Sequence, residues 1–385
     1  MAKIAFLSLG DPMDRRSWSG TLFSEYRELK KNHEVESIQA KFDPLLMEII
    51  RFRERMNYIF NKKTYVPEYS SSYMSKRSAQ HVNKRLREKK YDVVFAVSAS
   101  TLLPFIETEC PIIYMSDAVF SKMVDYYFIN LNCRNLKNGN WYEQKSLAMA
   151  SAAIFASDWA RNGAIEAYQI KRNKAYMIPF GANLDGVQHI SKKETGDTVH
   201  LVFIGIDWKR KGGDIAVNTV HMLNRMKLGK KFVLDVIGGG YPCGEDGSAI
   251  HLHGFIDKNT KEGMKKFVEI MDKAWALFLP TQAECAGIAF AEACAYGIPC
   301  ITFDTGGTGT YVRSGTNGYA LPIGSAPEDF AKTIATLFTD KEEYERMCNN
   351  AMTLSETELN WGIWGDKVNG IIEEVLGRGG RNGAG

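Results

Sequence analysis

The sequence lacks long hydrophobic runs. No stretch of its 385 residues approaches the ~18 uninterrupted apolar residues that a membrane-spanning helix needs. The first ten residues, MAKIAFLSLG, contain only a short apolar run, and Asp11 and Asp14 follow at once, so we predict no secretory signal peptide. We expect a cytoplasmic protein whose contact with a membrane is at most peripheral, on the inner face.

Paired cysteines, a large net charge and a paired-aspartate metal motif are also missing. The seven cysteines are scattered without a CxxC pair, which argues against a disulfide framework or zinc knuckle and favours a reducing compartment. The formal net charge is only +3, which gives no reason to expect a nucleic-acid partner. No DxD-like acidic pair lies in a plausible site, so we predict no metal site.

What the sequence does contain is a regular alternation of short apolar runs with helical patterns. The candidate strands are Lys3–Leu9, Tyr91–Val97, Ile112–Met115, Ala152–Ala156, Ala175–Ile178, Val199–Ile204, Phe232–Ile237, Ala276–Leu279 and Cys300–Phe303. Strands that alternate with helices predict βαβ units and parallel sheets. The fold class is therefore α/β.

A polar stretch at Asp185–Asp197 divides this alternation into two halves and has the composition of a linker. We predict two Rossmann-like doubly wound domains facing a central cleft, at residues 1–190 and 196–355, and a disordered glycine-rich tail at 378–385. Ligands of such folds bind at the carboxyl ends of the strands.

The segment 41–90 is unusually basic, with thirteen Lys and Arg against five acids. Its apolar residues recur at roughly helical spacing: Leu45, Leu46, Ile49, Ile50, Met56, Ile59 and Phe60. One interpretation is a surface that meets an anionic membrane or an anionic acceptor lipid. The other is an ordinary amphipathic helix with a solvated basic face.

The window Leu279–Asp304 carries the most chemical information. Glu284 lies in a loop after a strand, Gly287 precedes a helix, and Glu292 lies within that helix. The start of a helix presents unpaired N–H groups and a positive dipole end, which suit a diphosphate. The carboxylates are suited to accept hydrogen bonds from the hydroxyls of a sugar and a ribose.

The residues E-x-x-G-I from Glu284 and F-x-E-A-x-A-x-G-x-P around Glu292 resemble the core signature of retaining glycosyltransferases with the GT-B fold, family 4 (group 1). The resemblance implies that Glu284 contacts the transferred sugar and Glu292 the ribose. It also implies that the backbone at Gly287, Ile288 and Ala289 holds the diphosphate.

A second window, IGIDWKRKGGD at Ile204–Asp214, follows a strand. Cations there can neutralise a departing diphosphate, and the segment resembles the phosphate-gripping loop of the same family. This assigns Lys211 and Arg210 to the catalytic set. The family often has an arginine where this chain has Ile206, and that role passes to Arg210 or is shared with Lys209.

Four further positions resemble the donor-binding loops of the family, and a fifth is placed by its strand. Gly20 resembles the N-terminal glycine loop, and Gly307 with Thr308 resembles the glycine pair near the phosphates. Ile256, with the two residues before it, resembles the loop whose backbone reads the nucleobase. Asp117 ends a strand and either touches the acceptor or the donor sugar or caps a helix.

The resemblance implies transfer of a hexose-like sugar, with retention, from a UDP- or GDP-type donor to the hydroxyl of a saccharide or lipid-linked acceptor. It implies neither a metal nor another cofactor, and cell-envelope polysaccharide or glycolipid assembly as the setting. It also implies that a C-terminal helix, about 356–377, packs back on the first domain, with Trp361 and Trp364 covering its core.

Three alternatives differ from this reading. A nucleotide-sugar epimerase of the same fold would need no acceptor. A donor-binding module without catalysis is favoured by Ile206 alone. An NAD-linked oxidoreductase is disfavoured because Gly205, Gly212 and Gly213 do not form GxGxxG.

Overall fold

The computed structural model of the protein describes residues 1–184, 196–239 and 248–377. The predicted linker, Asp185–Asp197, lies outside the described residues except for its last two residues, and the predicted tail, at 378–385, lies wholly outside them.

The described strands form two six-stranded sheets in which every described pairing is parallel. Their bounds are β1 Lys3–Ser8, β2 Glu34–Gln39, β3 Val93–Val97, β4 Ile112–Ser116, β5 Ala152–Phe155, β6 Ala175–Met177, β7 Thr198–Gly205, β8 Lys231–Gly238, β9 Ile250–Gly254, β10 Ala274–Phe278, β11 Cys300–Asp304 and β12 Gly318–Pro322.

Helices connect these strands. Their bounds are α1 Thr21–Asn32, α2 Pro44–Asn61, α3 Ser72–Glu88, α4 Phe120–Met123, α5 Cys133–Met149, α6 Asp158–Tyr168, α7 Gly213–Arg225, α8 Lys261–Lys273, α9 Ile288–Ala295, α10 Thr308–Tyr311, α11 Pro327–Thr339, α12 Lys341–Thr357 and α13 Trp361–Val375. None of the helices within the described ranges is both long and apolar enough to cross a membrane.

The first compact unit, unit 1, comprises Met1–Ile178 and Trp361–Gly385. Its sheet has the order β2-β1-β3-β4-β5-β6. The central strands β3 (VVFAV) and β4 (IIYMS) are buried along their whole length, as expected for parallel strands covered on both faces. The last helix, α13, also belongs to this unit and packs against α1. The ring centre of its buried Trp364 lies 6.2 Å from that of Phe95.

The second compact unit, unit 2, comprises Pro179–Asn360, and its sheet has the order β12-β11-β10-β7-β8-β9. The chain enters it earlier than the predicted boundary near residue 190. Hydrogen bonds explain this, because Phe180 N–H donates to the Tyr311 hydroxyl at 3.0 Å and Ala182 N–H to Leu359 O at 3.3 Å. The prediction of an α/β fold with two doubly wound halves is confirmed.

Candidate functional site

The loops that follow β7, β10 and β11 meet at the carboxyl ends of these strands in the unit 2 sheet. These strands are neighbours in the order β11-β10-β7, so their carboxyl ends lie side by side. Direct hydrogen bonds join the loops: Gln282 N–H donates to Arg210 O at 2.8 Å, and Gly307 N–H donates to Glu284 O at 2.8 Å. The two sequence windows therefore form one site.

Gly212 makes the close approach of two of these loops possible. Its φ of +76° lies in the left-handed region, and a Cβ there would stand 2.0 Å from Pro280 O. Glycine has neither the Cβ nor the penalty for that φ. The loop after β7 therefore lies directly on the loop after β10, with Lys211 and Arg210 immediately before the contact.

Lys211 and Glu284 form an ion pair at this contact. The Lys211 ammonium donates to Glu284 Oε2, and both side chains are largely buried. Arg210 lies beside them, since its Nη1 donates to Ala283 O at 2.8 Å and its Nε to Asp207 Oδ2 at 3.3 Å. Two cations and one carboxylate thus converge on the loop that leads into α9.

Ile206, at the position where the resembling family often has arginine, is 68% exposed. It follows the last residue of β7. Arg210, four residues further along the chain, donates a hydrogen bond to the carbonyl oxygen of Ala283, directly before Glu284.

The N-terminus of α9 supplies unpaired N–H groups. Phe290 N–H and Ala291 N–H both donate to Gly287 O, so the helical hydrogen bonds begin there, and the N–H groups of Ile288 and Ala289 come before them. Gly287 itself has φ −151°, and a Cβ there would meet the Phe290 ring at 2.3 Å. Packing inside the protein therefore requires this glycine, a reason that the sequence pattern did not indicate.

Glu292 is buried on α9 and pairs with a second lysine. The Lys258 ammonium, from the segment between β9 and α8, donates to Glu292 Oε1 and lies 5.1 Å from the Phe267 ring centre. Burial raises the pKa of the Glu292 carboxyl above its ordinary value, although Lys258 acts in the opposite direction. Lys258 was not predicted, because a lysine in a polar loop has no motif spacing that would single it out.

The remaining unit 2 candidates are Ile256, Gly307 and Thr308. Ile256 is buried in the segment that leads to Lys258. The Gly307 N–H is occupied by Glu284 O. The Thr308 hydroxyl is buried among Phe303 O, Thr305 O and Thr305 N–H, at 2.8–3.0 Å. Thr308 therefore fixes the turn before α10.

Two candidates belong to unit 1. Gly20, the residue before α1, has φ +87°, and Trp18 and Ser19 before it also have positive φ. Such strained backbone clusters at functional sites. Asp117 follows β4, and the residue before α4 is Val119, so Asp117 is not its cap. The charge of Asp117 adds to burial in raising the pKa of Glu25.

The chain resembles known proteins in both sequence and fold. Residues 188–353 match the family model of glycosyl transferases group 1. A D-inositol 3-phosphate glycosyltransferase of Kribbella flavida is 25% identical over 224 residues, 53% of this chain and 52% of that relative. The chain thus spans about half the length of the curated relatives it matches.

Solved structures match along nearly the whole chain. A sucrose-phosphate synthase from Thermosynechococcus elongatus has a TM-score of 0.70 at 15% identity, over 98% of this chain and 100% of that one. Anabaena HepE in complex with UDP and glucose has a TM-score of 0.63 at 13% identity, over 97% and 100%. At these identities the likeness shows the GT-B fold. The family match covers residues 188–353, the segment that carries both glutamates. The chain therefore has the GT-B fold, and this segment resembles the group 1 glycosyl transferases.

Proposed function

We propose that the protein is a retaining glycosyltransferase that moves a hexose-like sugar from a nucleoside diphosphate sugar to an acceptor hydroxyl. The observation that carries this proposal is the pairing of Lys211 with Glu284 beside Arg210 and the first N–H groups of α9. A carboxylate suited to sugar hydroxyls and a group of donors suited to a diphosphate lie in one loop cluster.

In this proposal, cationic side chains and backbone amides of the chain itself stabilise the leaving diphosphate. Lys211, Arg210 and the N–H groups of Ile288 and Ala289 stabilise the negative charge that develops on the leaving diphosphate. They supply the positive charge that a divalent ion supplies in other enzymes, so the reaction needs no metal ion and no further cofactor. The acceptor oxygen attacks C1 on the face that the diphosphate leaves and gives its proton to that leaving group.

The two lysine–glutamate pairs must open when the donor binds. Lys211 moves its ammonium from Glu284 to a phosphate oxygen, which frees the Glu284 carboxylate for the sugar hydroxyls. Glu292 is proposed to accept from the ribose hydroxyls, in competition with Lys258. Because the fold-related HepE was solved in complex with UDP and glucose, we propose UDP as the first nucleotide to test, ahead of GDP.

Ligand-dependent thermal stability tests the donor site. UDP, GDP, ADP, CMP, their sugars and NAD are compared on wild type, Lys211→Met and Glu292→Gln. A ligand at about 100 times its dissociation constant adds about 2.7 kcal/mol, so the matching nucleotide should raise the midpoint of wild type and raise it less in both variants. Stabilisation by NAD alone would contradict the proposal.

Product analysis separates transfer from the two related alternatives. Sugar transfer with retention that depends on an added acceptor supports the proposal. Conversion of the donor sugar without an acceptor would indicate an epimerase. Donor binding without turnover under any acceptor would indicate a binding module, the alternative that Ile206 favours.

We also propose that α2 brings unit 1 to an anionic membrane surface, where a lipid-linked acceptor for envelope polysaccharide or glycolipid assembly would be found. One face of α2 carries Leu45, Ile49, Phe52, Met56 and Ile59, spaced alternately by four and three residues. These side chains are 39–78% exposed. The opposite side packs on Met74 through Met47 and Ile50, so the exposed face of α2 carries apolar side chains, a feature that supports the membrane interpretation over an ordinary solvated basic face.

Basic residues lie beside the apolar face of α2. Arg51 and Arg55 are exposed on the helix, and Lys62 and Lys63 follow it. Apolar side chains flanked by cations are the pattern of helices that lie in the plane of an anionic membrane.

Co-sedimentation with vesicles tests this contact. Binding should require phosphatidylglycerol in phosphatidylcholine vesicles and should weaken with salt. The double variant Ile49→Ser/Phe52→Ser should weaken it by about tenfold or more, since each lost side chain removes about 1.5 kcal/mol of burial. Ile323→Ser, an equally exposed position of unit 2, is the matched control. Equal binding by both variants would contradict the contact.

A further inference from the structure

Three histidines surround one buried aspartate in unit 2. Asp235 of β8 is only 5% exposed. His200 Nδ1 of β7 lies 2.7 Å from Asp235 Oδ2, while His251 Nδ1 and His253 Nε2 of β9 lie 3.3 and 2.7 Å from Oδ1. The family signature and the proposed reaction use none of these four residues.

Strand register explains why the four side chains meet. Asp235 is paired with Val202 on one side and with His251 on the other, and paired residues of neighbouring strands share a face. His200 precedes Val202 by two residues and so lies on that face as well. His253 follows His251 by two residues and therefore lies on the same face of β9, at the point where the register of β8 and β9 shifts.

The four ligand atoms match the donor set of a borderline divalent metal. Three imidazole nitrogens and one carboxylate oxygen suit Zn²⁺ far better than Mg²⁺ or Ca²⁺, which take oxygen ligands. The ligand atoms of His200, Asp235 and His251 all lie within 4.8 Å of one another. Tetrahedral zinc with bonds of ~2.0–2.1 Å needs ligand atoms about 3.3 Å apart, which the 3.3 Å contact already has.

We propose that His200, Asp235 and His251 form a structural zinc site. His253, which contacts the Asp235 carboxylate but lies outside that three-residue group, would complete it as the fourth ligand after a larger side-chain shift. The other two contacts, at 2.7 Å, must widen by about half an ångström to reach tetrahedral spacing. The histidines have room for this, because their side chains are 23–40% exposed. The same exposure gives the ion an entry path from solvent.

The consequence of the site is mechanical. β9 is the edge strand of its sheet and is paired with β8 alone. An ion held by three neighbouring strands would fix β9 across the register shift. The chain runs directly from β9 through Ile256 to Lys258, which holds Glu292. The metal thus supports the segment behind the proposed ribose carboxylate and takes no part in sugar transfer, so this inference stands independently of the proposed function.

Metal titration of the full-length, untagged and chelator-stripped protein tests the site. Zn²⁺ binding is followed by calorimetry and by the thermal midpoint, and Co²⁺ binding by its spectrum. Visible bands report tetrahedral coordination, whereas a near-ultraviolet charge-transfer band reports thiolate ligands. The variants are His251→Gln and His253→Gln. His81→Gln, which removes an exposed histidine of unit 1, is the matched control.

Stoichiometric Zn²⁺ binding that raises the midpoint, with tetrahedral Co²⁺ bands and no thiolate band, supports the site. It should persist in His81→Gln and weaken more than about tenfold in each cluster variant. Binding that survives in both cluster variants would place the metal outside the cluster, and a thiolate band would place it at cysteines; either result would overturn the proposal. Absence of binding to the folded wild type would also overturn it, and would leave the three imidazoles as hydrogen-bond donors to Asp235.

Discussion

Each glutamate of the candidate site is held by a lysine, Glu284 by Lys211 and Glu292 by Lys258. The two pairs differ in burial. Glu292 is 2% exposed, and a carboxylate in that position is stable in its charged form only with a partner. Loss of the Lys258–Glu292 pair should therefore lower the free energy of unfolding more than loss of the Lys211–Glu284 pair.

Lys258→Met should destabilise unit 2 by about 3 kcal/mol near pH 7, because it leaves a buried carboxylate without its partner. Burial already raises the pKa of Glu292. A fold that buries a carboxyl with a raised pKa loses stability as pH rises through that pKa, so the deficit should grow as the pH rises above the ordinary pKa of a glutamate. Urea unfolding at several pH values measures it.

The double variant Lys258→Met/Glu292→Met should recover most of the loss, since it removes the unpaired charge as well. Lys261→Met, at an exposed position three residues on, is the control. If Lys258→Met were as stable as that control, the pair would contribute nothing to the fold.

A second buried carboxyl predicts a pH dependence in unit 1. Glu143 of α5 accepts a hydrogen bond from the Tyr114 hydroxyl at 3.1 Å. Burial raises the pKa of Glu143 from 4.5 to about 7, although that hydrogen bond lowers it. The unfolded chain ionises this group first, so the folded state loses stability between about pH 4.5 and about pH 7.

Glu143→Gln keeps an oxygen for the Tyr114 hydroxyl and removes the ionisable group. The stability of the variant relative to wild type should therefore rise across that pH window, by about 3 kcal/mol, and level off above it. Chemical unfolding at stepped pH checks this, with the exposed Glu109→Gln as control. A difference that stays flat with pH would show that Glu143 titrates normally.

The sequence predicted both glutamates and Lys211 but not Lys258, for a physical reason. Glu284 and Glu292 lie in one local signature, whose spacing is visible in the chain. Lys258 lies 34 residues from Glu292, and only the packing of the segment after β9 against α9 brings the two together. The histidine cluster is hidden in the same way, because it depends on the register of three strands.

At the scale of elements, the strands that the sequence did not predict are all edge strands. β2, β9 and β12 lie at the margins of their sheets, and their sequences, EVESIQ, IHLHG and GYALP, contain no apolar run longer than three residues. A central parallel strand is buried on both faces and must be apolar, whereas an edge strand is partly solvated. Apolar runs therefore predicted the interior strands of both sheets, whereas three edge strands were not predicted.

The packing of one loop on another makes a prediction about Gly212. Gly212→Ala places a Cβ 2.0 Å from Pro280 O at a φ of +76°. Gly229→Ala is a matched control, because its φ is +80° and no atom lies within 4 Å of the added Cβ. The control should lose about 1 kcal/mol from left-handed strain alone.

Gly212→Ala should lose at least about 2 kcal/mol more than this control, since the two loops must separate. It should also weaken donor binding, because Lys211 and Arg210 move with the loop. Thermal unfolding and nucleotide titration of the two variants measure both effects. Equal losses in the two variants would show that the loop contact is not tight.

At the scale of the whole molecule, unit 1 is built from two separate parts of the chain. α13 returns to it after all of unit 2 has been formed, and Trp364 is fully buried there beside Phe95. Near the C-terminal end of α13, Tyr176 of β6 donates to Glu374 at 3.0 Å. No local pattern in the sequence predicts which unit the last helix joins, so that expectation depended on the family resemblance.

Ending the chain after Asn360 should destabilise unit 1 and spare unit 2. Removal of α13 exposes apolar surface on α1 and β3, and loss of the buried Trp364 side chain alone should be worth about 3–5 kcal/mol. Limited proteolysis should cut within 1–178 in the shortened chain, while the nucleotide-dependent stabilisation of unit 2 persists. Protection of both parts would show that α13 is dispensable.

The discontinuity of unit 1 also orders events during synthesis. The six strands of its sheet leave the ribosome first, yet the helix that covers Phe95 is translated only after Asn360. At ~5–20 residues per second, the intervening segment takes roughly 10–40 s to make. Unit 2 is continuous in the chain and can complete its fold within that interval. During that interval the apolar surface of β3 and α1 that α13 later covers remains exposed. The nascent unit 1 is therefore the part of this protein that we expect to depend most on a chaperone.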